Sequence, residues 1–363
     1  MARQWVLNGQ EGFEKSLEYQ QGINIPPAHD LKPNEVLVKM YAASLNYREL
    51  VIAGPMGING PISPPIVPGC DGAGLVEAVG PLVRGFSPGD RVVTHIAPKL
   101  VEAHGDDAHA GIAEAIASIG QGSDGTLRSW AVFPEAGLVH SPKTLDWLSA
   151  ATLPCTWLTA WNALFGLNGK QTGPDSWVLV QGTGGVSIAA LQLAVAAGAT
   201  VVATTSTVEK ADRLKALGAA HVVNYRNNPK TWGKEARDLT PDRRGFDIVV
   251  DIGGNETFPH SLAAIRVDGV VLVVGHVGDS TAEPVPIFAA LMHSCIIRGI
   301  LAGTRNQFRE LVQFIDDKKV VPAMDDLIFE LAEAKDAYRR LKEKKHFAKV
   351  VIRINHPDLS VSS

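Results

Sequence analysis

A short apolar strand, a glycine-rich turn and a long apolar helix constrain the fold of this chain more than any other stretch. The strand is Trp177-Val-Leu-Val-Gln181, the turn is Gly182-Thr-Gly-Gly-Val186, and the alanine- and leucine-rich segment after it ends at Gly198. This order is typical of a dinucleotide-binding unit. The helix N-terminus offers free N–H groups and its positive dipole end to a pyrophosphate. We therefore predict that the cofactor-binding residues include Gly182, Thr183, Gly184, Gly185 and Val186.

Two of these glycines and one serine have separate expected roles. Gly182 permits the tight turn, and Gly184 lets the backbone approach the pyrophosphate. Ser187 occupies the third position of the fingerprint, where helix and strand pack closely and a small residue is required. An ordinary glycine turn is the alternative interpretation, and the flanking strand and helix disfavour it.

Length and composition narrow the class of protein. With 363 residues the chain exceeds what one core usually serves, so two domains are expected. A net charge of −4 gives no basic surface for nucleic acid or an anionic membrane. The three cysteines are widely spaced, which is typical of a reducing compartment. No leader pattern and no apolar run of membrane-spanning length is seen, so we expect a cytoplasmic protein.

The distribution of glycine and proline changes along the chain. Residues 1–150 consist of short strand-like runs separated by glycine and proline turns, which favours a small barrel-like β domain. From about residue 151, apolar strands alternate with helices, which predicts a doubly wound parallel sheet covered on both faces. The predicted fold class is therefore α/β, with a Rossmann domain and a mostly β domain.

Four motifs, in this order and spacing, give the chain a family resemblance. They are Val67-Pro-Gly-Cys-Asp-Gly-Ala-Gly-Leu-Val76, Gly89-Asp-Arg-Val92, Leu153-Pro-Cys-Thr-Trp-Leu-Thr-Ala-Trp161 and Gly182-Thr-Gly-Gly-Val186. Together they resemble the medium-chain dehydrogenase/reductase superfamily, which contains zinc alcohol dehydrogenases and zinc-free quinone reductases.

The resemblance implies a domain division, a reaction and an oligomeric state. It implies a GroES-like catalytic domain formed by residues 1–150 and 303–363, and a Rossmann domain formed by residues 151–302. It also implies hydride transfer from a nicotinamide in the cleft between them. A homodimer through the Rossmann domain is expected, with Ile296–Ile300 as the strand that pairs across the interface.

The resemblance also shows where this chain departs from zinc enzymes. Zinc-dependent members carry their Cys, His and Cys ligands at the positions of Asn46, Cys70 and Cys155. A catalytic zinc needs three protein ligands and one open position, and this set is incomplete. We therefore predict no catalytic metal, while a Cys/Cys/Asp site that includes Asp71 remains an alternative.

The residues after the second strand of the Rossmann domain favour NADP(H) over NAD(H). NAD enzymes of this fold place a carboxylate there for the ribose 2′-OH, whereas this strand ends in Thr204-Thr-Ser-Thr207. The hydroxyls of Thr205 and Ser206, with the ammonium of Lys210, would instead hold a 2′-phosphate. By resemblance, Tyr225 contacts that phosphate and Thr159 lies near the nicotinamide ribose.

Without zinc, hydrogen-bond donors must stabilise the charge that develops on a substrate oxygen. Tyr47 is the candidate donor or proton source, Asn46 an orienting group, and Cys70 and Cys155 either touch the substrate or fill space. We predict an NADPH-dependent reductase of an activated C=C bond or a quinone. The alternatives are an alcohol dehydrogenase or ketone reductase with an atypical zinc site, and a non-catalytic NADPH-binding protein.

Overall fold

The computed structural model describes residues 1–55, 60–275 and 281–356. The chain divides into two compact units. The first unit comprises Met1–Leu158 and Gly303–Ser363, and the second unit comprises Thr159–Ala302.

The second unit contains one sheet in which every neighbouring pair of strands is parallel. Its strands are β8 (Trp177–Val180), β9 (Thr200–Thr205), β10 (His221–Asn224), β11 (Phe246–Asp251), β12 (Ile265–Val273) and β13 (Ile296–Gly299). Their spatial order is β10-β9-β8-β11-β12-β13, which is the order 3-2-1-4-5-6 of the Rossmann fold. The predicted fold class is confirmed for this part of the chain.

Helices alternate with these strands, as parallel pairing requires. They are α6 (Leu158–Phe165), α7 (Gly185–Ala196), α8 (Val208–Ala216), α9 (Trp232–Asp238), α10 (Phe258–Ala264) and α11 (Ala289–His293). The central strand β8 is apolar because it is covered on both faces, and Val178, Leu179 and Val180 are fully buried. The carboxyl ends of β8 and β11 lie side by side where the strand order reverses, and ligands of open α/β sheets bind at such a point.

The first unit is mainly β. A two-stranded sheet pairs β1 (Ala2–Leu7) with β2 (Leu17–Ile23). The larger sheet has the order β14-β15-β3-β4-β5-β7, and β6 pairs with β3. Its strands are β3 (Glu35–Leu45), β4 (Asp71–Val79), β5 (Arg91–Thr94), β6 (Trp130–Pro134), β7 (Leu138–His140), β14 (Ile328–Glu330) and β15 (Val350–Arg353). The prediction of a mostly β domain is therefore confirmed.

Helices connect these strands, and all but α12 have fewer than ten residues. They are α1 (Phe13–Ser16), α2 (Tyr47–Ala53), α3 (Pro98–His104), α4 (Ile112–Ile116), α5 (Trp147–Ala150), α12 (Arg305–Lys318) and α13 (Ala334–Lys342). A π-helical turn, Leu153–Trp157, directly precedes α6. Turns of this kind are rare and occur frequently at functional sites. None of the helices in the described ranges is long and apolar enough to cross a membrane.

The register of three adjacent strands brings distant residues to one end of the larger sheet. In the antiparallel β15–β3 pair, Val350 lies opposite Leu45, and in the β3–β4 pair, Ser44 lies opposite Asp71. Lys349 precedes β15, Asn46 follows β3 and Cys70 precedes β4. Because each of these residues adjoins a paired strand end, the three residues meet at the same edge of the sheet.

Candidate active site

The glycine turn of the second unit has the geometry expected of a pyrophosphate site. Gly182 has φ +75°, which favours glycine, and its N–H donates to Thr204 O at 3.1 Å. Gly184 is the N-cap of α7, and a Cβ built on it meets no protein atom within 4 Å. The backbone N–H groups of Gly185 and Val186 lie in the first turn of α7 and have no partner within the helix. The turn therefore leaves space and donors for an anion.

Ser187 has a structural reason to replace the third glycine. It is fully buried, and its hydroxyl donates to Gln181 O at 2.6 Å. This contact ties the first turn of α7 to the end of β8, so a small polar side chain suits the close approach of helix and strand. Thr183 lies between the two glycines on the same turn.

A buried carboxylate at the end of β11 holds the neighbouring loop. Asp251 accepts hydrogen bonds from the backbone N–H groups of Gly253 and Gly254 at 3.1 and 3.0 Å, and from Thr257 Oγ1 at 2.8 Å. It also accepts from Ser261 Oγ at 2.5 Å, and from Gln181 Nε2 at 3.4 Å. These contacts connect Gln181, the residue before the glycine turn, to the end of the neighbouring strand β11. They therefore stiffen the crevice where the strand order reverses.

The predicted 2′-phosphate residues follow the adjacent strand β9. Thr205 is buried, and its hydroxyl accepts the Thr207 N–H at 3.5 Å, whereas Ser206 is half-buried. Thr207 is the N-cap of α8 and accepts the Lys210 N–H at 3.3 Å. The Tyr225 N–H donates to Thr205 O at 3.1 Å, so Tyr225 adjoins the same strand end.

Glu209 is a carboxylate near this strand end that no sequence motif indicated. Glu209 lies in the first turn of α8. Hydrogen bonds from its own backbone N–H and from the Thr207 hydroxyl lower its pKa, which indicates that the carboxylate turns towards the N-terminus of its own helix.

In the first unit, Lys349 and Asp71 form a buried ion pair. Their exposed fractions are 2% and 0%, and Lys349 Nζ lies 2.9 Å from Asp71 Oδ2. Nζ also donates to Leu45 O at 2.8 Å and to Asn46 Oδ1. Ser44 Oγ donates to the same Asp71 oxygen at 2.8 Å. An ammonium has three N–H groups, so these three acceptors use all of them.

The contacts of Lys349 determine which way the Asn46 amide faces. Lysine can only donate, so the atom of Asn46 that it contacts must be the oxygen. The amide nitrogen then points the other way and lies 3.5 Å from Cys70 Sγ. The Asn46 backbone N–H donates to Glu49 Oε2 at 2.7 Å, which fixes the start of α2.

The two predicted cysteines are adjacent in space. Cys70, Asp71 and Cys155 offer ligand atoms that all lie within 4.8 Å of one another, and Cys155 belongs to the π-helical turn. Hydrogen bonding with Cys155, burial, and the nearby carboxylates of Glu49 and Asp71 raise the pKa of Cys70. Cys70 is therefore a thiol at neutral pH.

The donor set does not fit a catalytic zinc, although the distances alone would permit an ion. Asp71 is already neutralised by Lys349, and its pair of oxygens also accepts from Ser44 and from Cys70 Sγ at 3.5 Å. The amide of Asn46 presents N–H groups, not an acceptor, to the thiols.

Arg48 lies next to Cys70, Cys155 and Glu49. Its Nη2 donates to Ser118 Oγ at 2.7 Å, and its Nη1 lies 3.5 Å from Glu49 Oε1. Burial lowers the pKa of Arg48, but the neighbouring acidic groups, the Glu49 carboxylate among them, outweigh this and the pKa is raised. Burial also raises the pKa of Glu49. A guanidinium is thus held beside the thiols.

The structure places the remaining predicted residues in different surroundings. Tyr47, the first residue of α2, is 47% exposed, so solvent and small molecules can reach it. Thr159, the first residue of the second unit, is buried in α6.

Sequence reasoning missed Lys349, Arg48 and Asp251. A signal for Lys349 exists in Phe347-Ala-Lys-Val-Val351, because a lysine inside an apolar run is almost never buried unless it is paired. Its partner lies 278 residues away in sequence, so the pairing itself is not visible there.

Comparison with known proteins places the chain in a family. Residues 32–143 match the alcohol dehydrogenase GroES-like domain, and residues 185–317 match the zinc-binding dehydrogenase domain. A zinc-type alcohol dehydrogenase-like protein of Schizosaccharomyces pombe is 39% identical over 98% of this chain and 100% of its own length. The chain belongs to the medium-chain dehydrogenase/reductase superfamily.

Two solved structures of this superfamily show the range of its chemistry. A crystal structure of an NAD-dependent alcohol dehydrogenase is 32% identical, with a TM-score of 0.83 over 97% of this chain and 100% of that one. The 2-octenoyl-CoA carboxylase reductase CinF, solved in complex with NADP and 2-octenoyl-CoA, is 25% identical. Its TM-score is 0.83, and the match covers 99% of this chain and 89% of that one. The present medium-chain dehydrogenase/reductase is therefore an oxidoreductase that uses a nicotinamide cofactor.

We predict that Gly184→Ala weakens the binding of NADPH and NADH alike without reducing stability. The added methyl group meets no protein atom, so it can clash only with a bound pyrophosphate. We expect at least a tenfold increase in Kd for both cofactors, which corresponds to about 1.4 kcal/mol, in a fluorescence titration.

Gly173→Ala is the matched control. A Cβ at Gly173 also meets nothing within 4 Å, and this residue precedes β8 at the opposite end of the strand. Unchanged cofactor affinity in Gly184→Ala, at unchanged melting temperature, would show that the pyrophosphate does not lie against this turn.

Proposed function

We propose that the protein is an NADPH-dependent reductase that transfers hydride to an activated C=C bond or a quinone without a catalytic zinc. The observation that carries this proposal is the cluster of Lys349, Asn46 and Cys70. By resemblance, Asn46 and Cys70 occupy the positions of two zinc ligands, and here the Asn46 amide bridges the Lys349 ammonium and the Cys70 thiol. Polarisation of a substrate oxygen then depends on hydrogen-bond donors.

Such donors suit an enone better than an isolated ketone. A nicotinamide bound at the glycine turn would supply the hydride for the β-carbon of the enone, and the negative charge would spread over an enolate. Since that charge is delocalised, one or two donors suffice to stabilise it. The Asn46 amide and the exposed Tyr47 hydroxyl are the proposed donors, and solvent protonates the α-carbon.

The comparisons support this class of substrate and also one alternative. CinF was solved with an enoyl-CoA, while the other structural relative is an alcohol dehydrogenase. The grouping of Cys70, Asp71 and Cys155 favours, on distance alone, an alcohol dehydrogenase with an atypical zinc site. The engagement of Asp71 by Lys349 weighs against it.

NADP(H) is the proposed cofactor because β9 ends without a carboxylate that would bind a ribose 2′-OH. Ser206 and Lys210 are the proposed phosphate contacts, with Tyr225 beside the same strand end. Glu209 does not act as the carboxylate that binds a ribose 2′-OH, because its carboxylate accepts hydrogen bonds at the N-terminus of its own helix.

We expect the purified protein to oxidise NADPH with enones or quinones and to contain less than about 0.1 zinc per chain by elemental analysis. Chelator should not change the rate, and Tyr47→Phe should lower kcat by about 10- to 100-fold because it removes one donor. Tyr19→Phe, a half-buried tyrosine of the same unit, is the control.

Two results would contradict the proposal in different ways. Stoichiometric zinc with chelator-sensitive alcohol oxidation would favour the alcohol dehydrogenase. Cofactor binding without turnover of any enone, quinone, ketone or alcohol would favour a non-catalytic NADPH-binding protein.

We predict that Lys210→Ala raises the Kd of NADPH by about tenfold or more and leaves that of NADH unchanged, because a charge-assisted hydrogen bond to the 2′-phosphate is lost. Lys215→Ala, which removes an exposed lysine from the same helix, should change neither constant. An unaltered preference for NADPH in Lys210→Ala would remove this residue from the phosphate site.

We further propose a homodimer through the second unit. Strand β13 is an edge of the sheet, and exposed apolar side chains lie beside it on and next to α11, among them Phe288, Leu291 and Met292 at 60%, 65% and 70% exposure. A patch of this kind marks an association surface.

We expect analytical ultracentrifugation to show a dimer for the wild-type protein and a monomer for Leu291→Glu, which places a charge in this patch. A wild-type protein that is monomeric at micromolar concentration would contradict the proposal.

A further inference from the structure

The contacts around Asn46 form a directed ring of hydrogen bonds. Lys349 donates to Asn46 Oδ1, Asn46 Nδ2 donates to Cys70 Sγ at 3.5 Å, and Cys70 donates to Asp71 Oδ1 at 3.5 Å. Lys349 also donates directly to Asp71 Oδ2 at 2.9 Å. Both arms therefore begin at the ammonium and end at the carboxylate.

The direction of this ring has only one self-consistent solution. An ammonium has no acceptor and a carboxylate has no proton, so each arm must run from Lys349 to Asp71. The thiol of Cys70 supplies the proton for the last step, to Asp71 Oδ1. Rotating the Asn46 amide by half a turn would set its N–H groups against the ammonium and leave that buried charge one acceptor short.

Asn46 has a second N–H to offer. Its amide nitrogen carries two hydrogens, and Cys70 takes one of them. Within the described ranges no second acceptor of this nitrogen is found, and the side chain is nearly buried at 6% exposure. A donor in such a site is worth more to a developing oxyanion than one in water.

We propose that Lys349 is a positioning residue that fixes Asn46 as a hydrogen-bond donor for the substrate oxygen. This inference rests on the proposed function, because it assigns the donor of that reaction. Lys349 itself does not touch the substrate, since all three of its N–H groups are used inside the protein. Its effect on the reaction passes through the amide of Asn46.

The test variant is Asp71→Asn/Lys349→Met, which removes both charges together. Lys349→Met alone would leave a buried carboxylate unpaired, and that variant could fail to fold. We expect the double variant to lower kcat for enone reduction by about tenfold to a hundredfold, as for a weakened oxyanion donor, with little change in KM. NADPH affinity should be unchanged.

A comparison with Asn46→Ala separates positioning from a general structural effect. Asn46→Ala should lower kcat by at least as much as the double variant does. Adding Asp71→Asn/Lys349→Met to Asn46→Ala should cost less than a further twofold, because the group through which Lys349 acts is gone. Independent, multiplying losses would overturn the proposal.

A second ion pair of the same unit provides a matched control. Arg340 pairs with Asp325, which is 1% exposed at its side chain, and neither residue contacts Asn46. Asp325→Asn/Arg340→Met should lower the melting temperature and leave kcat unchanged. An equal fall in kcat in this control would show that loss of stability, not orientation, slows the reaction.

A readout without turnover keeps this inference distinct from the proposed function. In protein labelled with ¹⁵N-asparagine, the side-chain NH₂ signals of Asn46 are those missing from Asn46→Ala. We expect Asp71→Asn/Lys349→Met to shift or broaden them, and the Asp325/Arg340 control to leave them in place. Unchanged signals would overturn the positioning role. If the signals change but the protein reduces no enone, the positioning role of Lys349 is retained and the proposed substrate class is refuted.

Discussion

The ion pair between Lys349 and Asp71 is the interaction on which the first unit's site depends. It joins the start of β15 to the start of β4, and it sits at the end of β3 through Leu45 O and Ser44 Oγ. A buried charge is tolerated only where its partners are complete, and here every N–H of the ammonium has an acceptor. The pair thus links three strand ends and sets the direction of the Asn46 amide.

This charge arrangement also accounts for the chemistry we propose. In a zinc enzyme, the metal supplies positive charge next to the substrate oxygen. Here the positive charge is the ammonium, and the amide of Asn46 lies between it and Cys70. Arg48 adds a second cation beside the thiols. Each cation is paired with a carboxylate, Lys349 with Asp71 and Arg48 with Glu49. By resemblance, Asn46 and Cys70 replace two of the three zinc ligands, while Cys155 keeps the third.

The second unit uses a buried carboxylate for a different purpose. Asp251 gathers donors from the loop after β11 and from Gln181 at the end of β8, next to the reversal of strand order. The glycine turn is thus attached to a stiffened edge of the sheet. A preorganised turn loses less entropy when it binds an anion, so this network supports cofactor binding without contacting the cofactor.

The sequence by itself determined the fold class and the glycine turn, because both depend on local patterns. Alternating strands and helices, glycines at a strand-to-helix turn, and short motifs in fixed order are all visible in neighbouring residues. The resemblance also pointed to Asn46, Cys70 and Cys155 as the positions of the zinc ligands, of which only Cys155 is kept. Only the tertiary structure decided what Asn46 does with its amide. That direction is set by a lysine 303 residues further along the chain, brought there by strand register, and no local pattern encodes such a contact.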